Sequence, residues 1–403
     1  MRIRELNAAD YLIEDLHLIA RGDDMYWDFK LDSDAVIGDV RVPVADEPIE
    51  LNLTRVNVYS DEETLLEEAM EKDDAPLVSV FADWDLSSLI DMNVKVDSFF
   101  LDDEDFGSWQ FELRPEGELL KFTKLQADLK YMHVGGEAGA DFDWTYGENI
   151  HSYFRGEILI SGVGDSLVAW EEERLLDAKS AAIQLDARWD EHPDVWTLEN
   201  IDGDVSLEML SGNFIRSAEV GENPLLRLIA LFNFDTLARR LRLDFSDLAA
   251  KGFAFDKVYG DMSFKDGTYL LAQPLIVESS SSKMQMAGTI DVAREKIDAD
   301  LVVTLPVAGN LAVATAFIVG LPAGLGVYVV SKMFGRQVDK VSSINYTVKG
   351  GWDDPKLKVR KIFDDSGARK KGKLLEERQP NMDDSMDNDN DNDNDSDSKS
   401  NKE

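Results

Sequence analysis

Four histidines, His17, His133, His151 and His192, are the first residues to weigh for chemistry. A metal centre or an acid–base pair needs several such groups at short spacing or on one face. These four are scattered, with no pair at metal-ligand spacing. The chain has no cysteine, which removes thiolate nucleophiles, thiolate ligands and disulfides together. It also has no Gly-x-Ser-x-Gly elbow, no phosphate loop and no dinucleotide fingerprint. Carboxylates are so frequent that adjacent acids such as Asp102-Asp103 and Asp353-Asp354 read as solvated acidic surface. The expectation is therefore a non-enzyme with no catalytic residue, no metal and no cofactor.

Charge narrows the partners. Asp+Glu 80 against Lys+Arg 42 gives a formal net charge of −38. A nucleic-acid binder needs a basic footprint, so nucleic acid is excluded, and electrostatic docking onto anionic lipid is disfavoured. Any membrane contact must then be hydrophobic. The N-terminal stretch, MRIRELNAADYLIEDLHLIARGDD, has no apolar core of the kind a signal peptide carries.

The elements that would position functional side chains are mostly strands. Leu12, Ile13, Leu16 and Ile19 give a weak helical signal, followed by a strand-like Tyr26 to Leu31 and a loose alternation from Leu51 to Val58. Asp61 to Asp74 reads as a short acidic helix. From there the period is two. Val94 and Val96, then Trp109, Phe111 and Leu113, alternate with polar neighbours. So do Leu125, Ala127, Leu129 and Tyr131, then Ile183 to Trp189, and Val205, Leu207 and Met209. Met284 to Val292, Ile297 to Leu305, Ile344 to Val348, and Leu357 with Val359 continue the rule. Alternation marks a sheet with one apolar and one wet face. Turn residues punctuate it at Pro115-Glu116-Gly117, Gly135-Gly136, Asp202-Gly203, Lys265-Asp266-Gly267 and Gly350-Gly351. Helices are expected over Asp165 to Ala178 and Asn223 to Leu243. The tail from Asp364, ending in a run of Asp, Asn and Ser, reads as disordered. That run lacks the glycine and terminal glutamate of a calcium loop.

Leu305 to Phe334 stands apart, because no charged residue occurs between Asp300 and Lys332. Its length suits a membrane span, but Pro322 and its neighbouring glycines break a helix. Two short apolar helices folded as a hairpin are expected, with a single kinked span as the alternative. The membrane-contact candidates are Leu311, Val313, Phe317, Ile318, Leu321, Pro322, Leu325, Val327, Tyr328 and Val329.

Several stretches, in order, carry a family likeness. They are Leu237-Ala238-Arg239-Arg240-Leu241 through Lys251-Gly252-Phe253, Tyr259-Gly260-Asp261-Met262-Ser263-Phe264-Lys265-Asp266-Gly267, Leu305-Pro306-Val307-Ala308-Gly309, Gly335-Arg336-Gln337-Val338-Asp339-Lys340, and Tyr346 to Pro355. Together they resemble the C-terminal part of YhdP-like proteins, large members of the AsmA-like envelope family. A looser likeness reaches back to Leu86. The resemblance implies a mainly β fold, a long curled antiparallel sheet with an apolar inner groove, plus a few helices including C-terminal apolar ones. It also implies phospholipid carried between the inner and outer membranes of a Gram-negative envelope, with the bulk of the chain in the periplasm. The expected organisation is a mixed segment over 1–85, a β-groove region over 86–363 with apolar helices at 305–334, and a tail over 364–403.

The expected partners are phospholipid acyl chains, a membrane through 305–334, and an upstream chain carrying an N-terminal anchor. Expected groove residues are Trp109, Phe111, Leu113, Leu125, Leu129, Val205, Leu207, Met209, Met284, Met286, Leu301 and Val303. The alternation points the same way: a one-faced sheet needs a cover, and an uncovered apolar face of this size exceeds what soluble monomers expose. The competing expectation is a non-catalytic envelope module whose β core is filled by its own side chains.

Overall fold

The computed structural model describes residues 1–8, 11–59, 79, 81–82, 84, 86–215, 253–271, 273–280, 283–304, 343–351 and 355–362. The expected helices at Asp61–Asp74 and Asn223–Leu243, the apolar run Leu305–Phe334 with all ten membrane-contact candidates, and the acidic tail lie outside these residues. No helix among the described residues is long and apolar enough to cross a membrane.

The alternating stretches form strands, and the strands join one sheet. The first group is β1 (Arg2–Ala8), β2 (Tyr11–Gly22), β3 (Tyr26–Asp32), β4 (Val36–Pro43) and β5 (Ile49–Val58). Then come β6 (Met92–Val96), β7 (Phe99–Leu101), β8 (Glu104–Asp105), β9 (Ser108–Glu116), β10 (Leu119–Leu129), β11 (Met132–Val134), β12 (Ala140–Thr145) and β13 (His151–Ser161). A short helix, α1 (Val163–Ala169), precedes β14 (Leu176–Trp189) and β15 (Asp202–Phe214). The last group is β16 (Phe253–Lys265), β17 (Thr268–Leu270), β18 (Leu275–Glu278), β19 (Lys283–Asp291), β20 (Lys296–Thr304), β21 (Ser343–Gly351) and β22 (Lys356–Ile362).

Strands close in sequence are close in the ladder. β10 pairs with β12, β12 with β13, β13 with β14, β14 with β15 and β15 with β16. The short strands β11 and β17 bridge β10 to β13 and β16 to β19. Tight turns close the hairpins. Lys130 and Tyr131, at φ 45 and 69, and Asp266 and Gly267, at φ 48 and 67, supply the paired positive φ that two-residue hairpin loops require.

Three expectations need correction. The sheet is mixed, not antiparallel throughout, because β5 runs parallel to β6 and β7. Strands of like direction need a crossover of a dozen or more residues, and residues 59–91 span that connection. The Leu12–Ile19 stretch is strand, not helix. Asp15, at φ 48, departs from extended geometry inside β2, so a plain alternation does not carry through it. The helix expected over Asp165–Ala178 ends at Ala169. Trp170 and Glu172 donate their N–H groups back to the carbonyls of Leu167 and its neighbours, and Glu171 takes φ 59. Leu176 then begins a strand.

Candidate functional site

Cross-strand register decides whether separate alternating runs make one surface. Here it does. A row of side-chain positions runs from Ile49 to Met92, Leu113, Phe122, Phe142, Phe154 and Ala187. It continues through Gly203, Phe264, Tyr269, Ile290 and Ile297. A second row joins Ile160, Ala181, Met209, Val258, Val277, Met284 and Val303. At about 4.8 Å between strands, the first row is roughly 50 Å long. The phase survives even where β10 breaks. Lys124 takes φ 53 at a register shift between Phe122 and Leu125, and a bulge of this kind puts Leu120 and Phe122 on the same face as Leu125, Ala127 and Leu129.

Burial grades along this face. Trp109, Phe111, Leu125, Val205 and Leu207 are half-buried, whereas Leu113, Leu129 and Met209 are buried. At the β19–β20 end Met284, Met286, Leu301 and Val303 are between 1 and 5 % exposed. All twelve expected groove residues thus sit in one sheet, and the register places them on its apolar side. Met209, Met284, Met286, Leu301 and Val303 belong to one packed cluster, with Val205 and Leu207 against it. Leu113 and Phe111 belong to a second. In β19 and β20 the opposite face is closed too, since Ala287 and Val302 have no exposure.

Sequence reasoning missed the second cluster's cover. Leu86 is buried with Leu113, Leu120 and Trp144, and Phe81 and Leu89 pack against them. These residues come from the connection between β5 and β6. The Phe81 ring lies 5.4 Å from Trp144. It also missed the aromatic floor: Phe111, Phe122 and Phe142 follow one another at 5.5 and 5.7 Å, and Trp189 follows Phe142 at 6.2 Å. The signal was present for Phe122 and Phe142, but the bulge at Lys124 shifts the phase of alternation.

The other face is polar and ion-paired. Lys124 lies 2.6 Å from Glu112, and that hydrogen bond holds the carboxylate below its usual range. His133 Nδ1 lies 2.7 Å from Asp128, and the carboxylate raises the histidine. Burial pushes the Tyr346 phenol up to about 12 and the Tyr269 phenol higher still, so both hydroxyls keep their protons at neutral pH. His17 and His151 are exposed, His133 lies on the polar face and His192 is buried, so the histidines do not converge. No group of three potential metal ligands occurs among the described residues.

Comparison with known proteins gives the same lineage as the sequence. A region of 253 residues, 62% of this chain, is 23% identical to the intermembrane phospholipid transporter YhdP of Escherichia coli (strain K12). That region covers 19% of the E. coli protein, so the chain spans only a fraction of that relative's length. No solved structure matches. The YhdP protein family model matches residues 1–357, from the first strand to the start of the last. The chain therefore belongs to the YhdP family.

Proposed function

We propose that this chain binds phospholipid by its acyl chains along the apolar face of the sheet and conducts it between the membranes of a Gram-negative envelope, with its bulk in the periplasm and no catalytic step. The observation that carries the reading is the continuous register from Ile49 to Ile297 together with the half-buried positions along it between β5 and β15, among them Ile49, Met92, Phe122, Phe142 and Phe154. Aromatic and aliphatic side chains left half in water over so long a path need an apolar cover, and acyl chains supply one. The named activity of the E. coli relative is consistent with this. Curling of the sheet around the lipid, and a membrane or upstream partner, belong to the same proposal.

A filled structural core is the second reading, and one observation favours it at one end. From β16 to β20 the apolar row is closed by the protein's own side chains, from Phe264 at 5 % exposure to Ile290 at none. Lipid would therefore lie along the half-buried positions between β5 and β15, beside the covered cluster of Leu86, Leu113, Leu120 and Trp144, and meet a packed end beyond. Native mass spectrometry of the chain purified in mild detergent tests the proposal. Co-purified phospholipid is expected, and a lipid-free protein that also takes up no added phospholipid would sink it.

A further inference from the structure

Two buried nitrogen atoms on the apolar side of the sheet bond to nothing. Trp144 is 5 % exposed and His192 is 8 % exposed. The indole Nε1 of the first and the Nδ1 of the second are buried without a hydrogen-bond partner. Their rings meet edge to face, with centroids 5.7 Å apart. Trp144 stands in β12 opposite Leu120 and Ser152. His192 belongs to the connection between β14 and β15, which is held in place around it. Trp189 Nε1 donates to the His192 carbonyl at 2.8 Å, and Ser152 Oγ donates to the Glu191 carbonyl at 2.9 Å. The polar groups beside the pair are thus satisfied, and the pair is not. A buried donor left unpaired is costly, and a buried indole N–H usually finds a partner. With the unpartnered His192 nitrogen beside it, on the side where a lipid would lie, the indole N–H points to an acceptor supplied from outside the chain.

We propose that Trp144 Nε1 and His192 Nδ1 form a polar subsite in the groove wall that takes an acceptor oxygen of a bound lipid, its ester carbonyl or its phosphate. The proposal rests on the groove reading above and adds where the polar part of the lipid sits. Indole can only donate, and imidazole Nδ1 donates in the tautomer that protonates it. A pair of donors suits an oxygen with two lone pairs and has nothing to offer a hydrocarbon. Phe142 precedes Trp144 on the same face of β12, and Phe122 pairs with Phe142, so acyl chains would leave the subsite over those rings. Phe81 covers Trp144, and Ser79 Oγ, 2.7 Å from Asp194 Oδ1, joins the two connections that meet above the pair.

Trp144→Phe keeps the packing of a ring and deletes the donor; His192→Phe does the same on the other side. The full chain and both variants are titrated with a diacyl phosphatidylethanolamine, with its dialkyl ether analogue, and with diphenylhexatriene, which has no acceptor. Each variant is expected to bind the diacyl lipid roughly three- to tenfold more weakly, with diphenylhexatriene binding and the thermal midpoint preserved. For the native chain, equal binding of the ether analogue assigns the acceptor to phosphate, and weaker binding assigns it to the ester carbonyl. Unchanged phospholipid binding in both variants overturns the subsite and leaves the groove standing. Equal loss of phospholipid and diphenylhexatriene also overturns it, since that is damage to packing. A native chain that binds neither lipid overturns the groove itself.

Discussion

An aspartate moved along the apolar face measures where that face is open. Leu301, in β20, is 1 % exposed and packs among Met286, Tyr346 and their neighbours. Leu207, in β15, points to the same side but is only half-buried. At Leu301 the substitution forfeits about 2–3 kcal/mol of side-chain burial. An unpaired carboxylate in its place adds several kcal/mol more. The sum is comparable with the whole stability of a domain, about 5–15 kcal/mol, so Leu301→Asp is expected to leave little folded protein. At Leu207 the lost burial is about half as large, roughly 1 kcal/mol, and the carboxylate stays in contact with water. Leu207→Asp should therefore fold, with a thermal midpoint only a few degrees lower, while its phospholipid loading falls. Urea unfolding followed by far-UV circular dichroism, with lipid extraction from the same preparations, reads both quantities. Equal destabilisation at the two positions would refute the reasoning, because it would mean that β15 is as filled as β20. Native-like stability of Leu301→Asp would refute it from the other side.

Three further outcomes are expected. Gly107→Ala should destabilise by about 2 kcal/mol or more, since a Cβ at this φ of +69 would meet the Asp128 carbonyl oxygen at 1.7 Å; a thermal midpoint equal to the native value would contradict this. Lys130 lies 4.3 Å from the ring centroids of both Phe106 and Trp170 and pairs with Glu104. Lys130→Ala should lower stability by about 1–2 kcal/mol, checked by chemical denaturation. The Asp128 hydrogen bond raises the folded pKa of His133, so its contribution is fully present below the unfolded value and is lost as pH rises through the folded one. The midpoint of the native chain minus that of His133→Asn should thus be larger at pH 5.5 than at pH 8.5, by a modest amount because the pair is exposed; a constant difference would show that the pair adds nothing.

Much of the sheet could be read in the sequence because a half-buried strand writes its two faces into alternate residues. Val205, Leu207 and Met209, or Met284 and Met286, needed no more than that. Pairing direction leaves no such trace. The parallel step at β5 and β6 became visible only once Leu51 was seen opposite Val94. Conformations that break the period misled in predictable ways. Asp15 made a strand look helical, and Lys124 hid the relation of Phe122 to Leu125. The groove residues were legible as a face but not as open or closed, because burial depends on what crosses the face from elsewhere. Phe81 and Leu86 reach Trp144 from the end of a connection where, past Asp74, the spacing carries no periodic signal. Trp144 and His192 were beyond sequence reasoning for the same reason, being far apart in the chain and joined only by folding.

The near-sequential ladder has a consequence for how such a chain can change in length. Among the described strands, each pairs only with strands within three places of it in the chain, much as the repeats of a solenoid contact their neighbours, so cohesion is largely a sum of local interfaces. Excising or duplicating one complete hairpin, for instance β14 with β15, would restore the direction of the following strand and the phase of its alternation. The apolar surface would become shorter or longer by about 10 Å without reorganising the rest. Removing a single strand would reverse every strand after it. Hairpins are therefore the unit in which this architecture can be lengthened, trimmed or recombined.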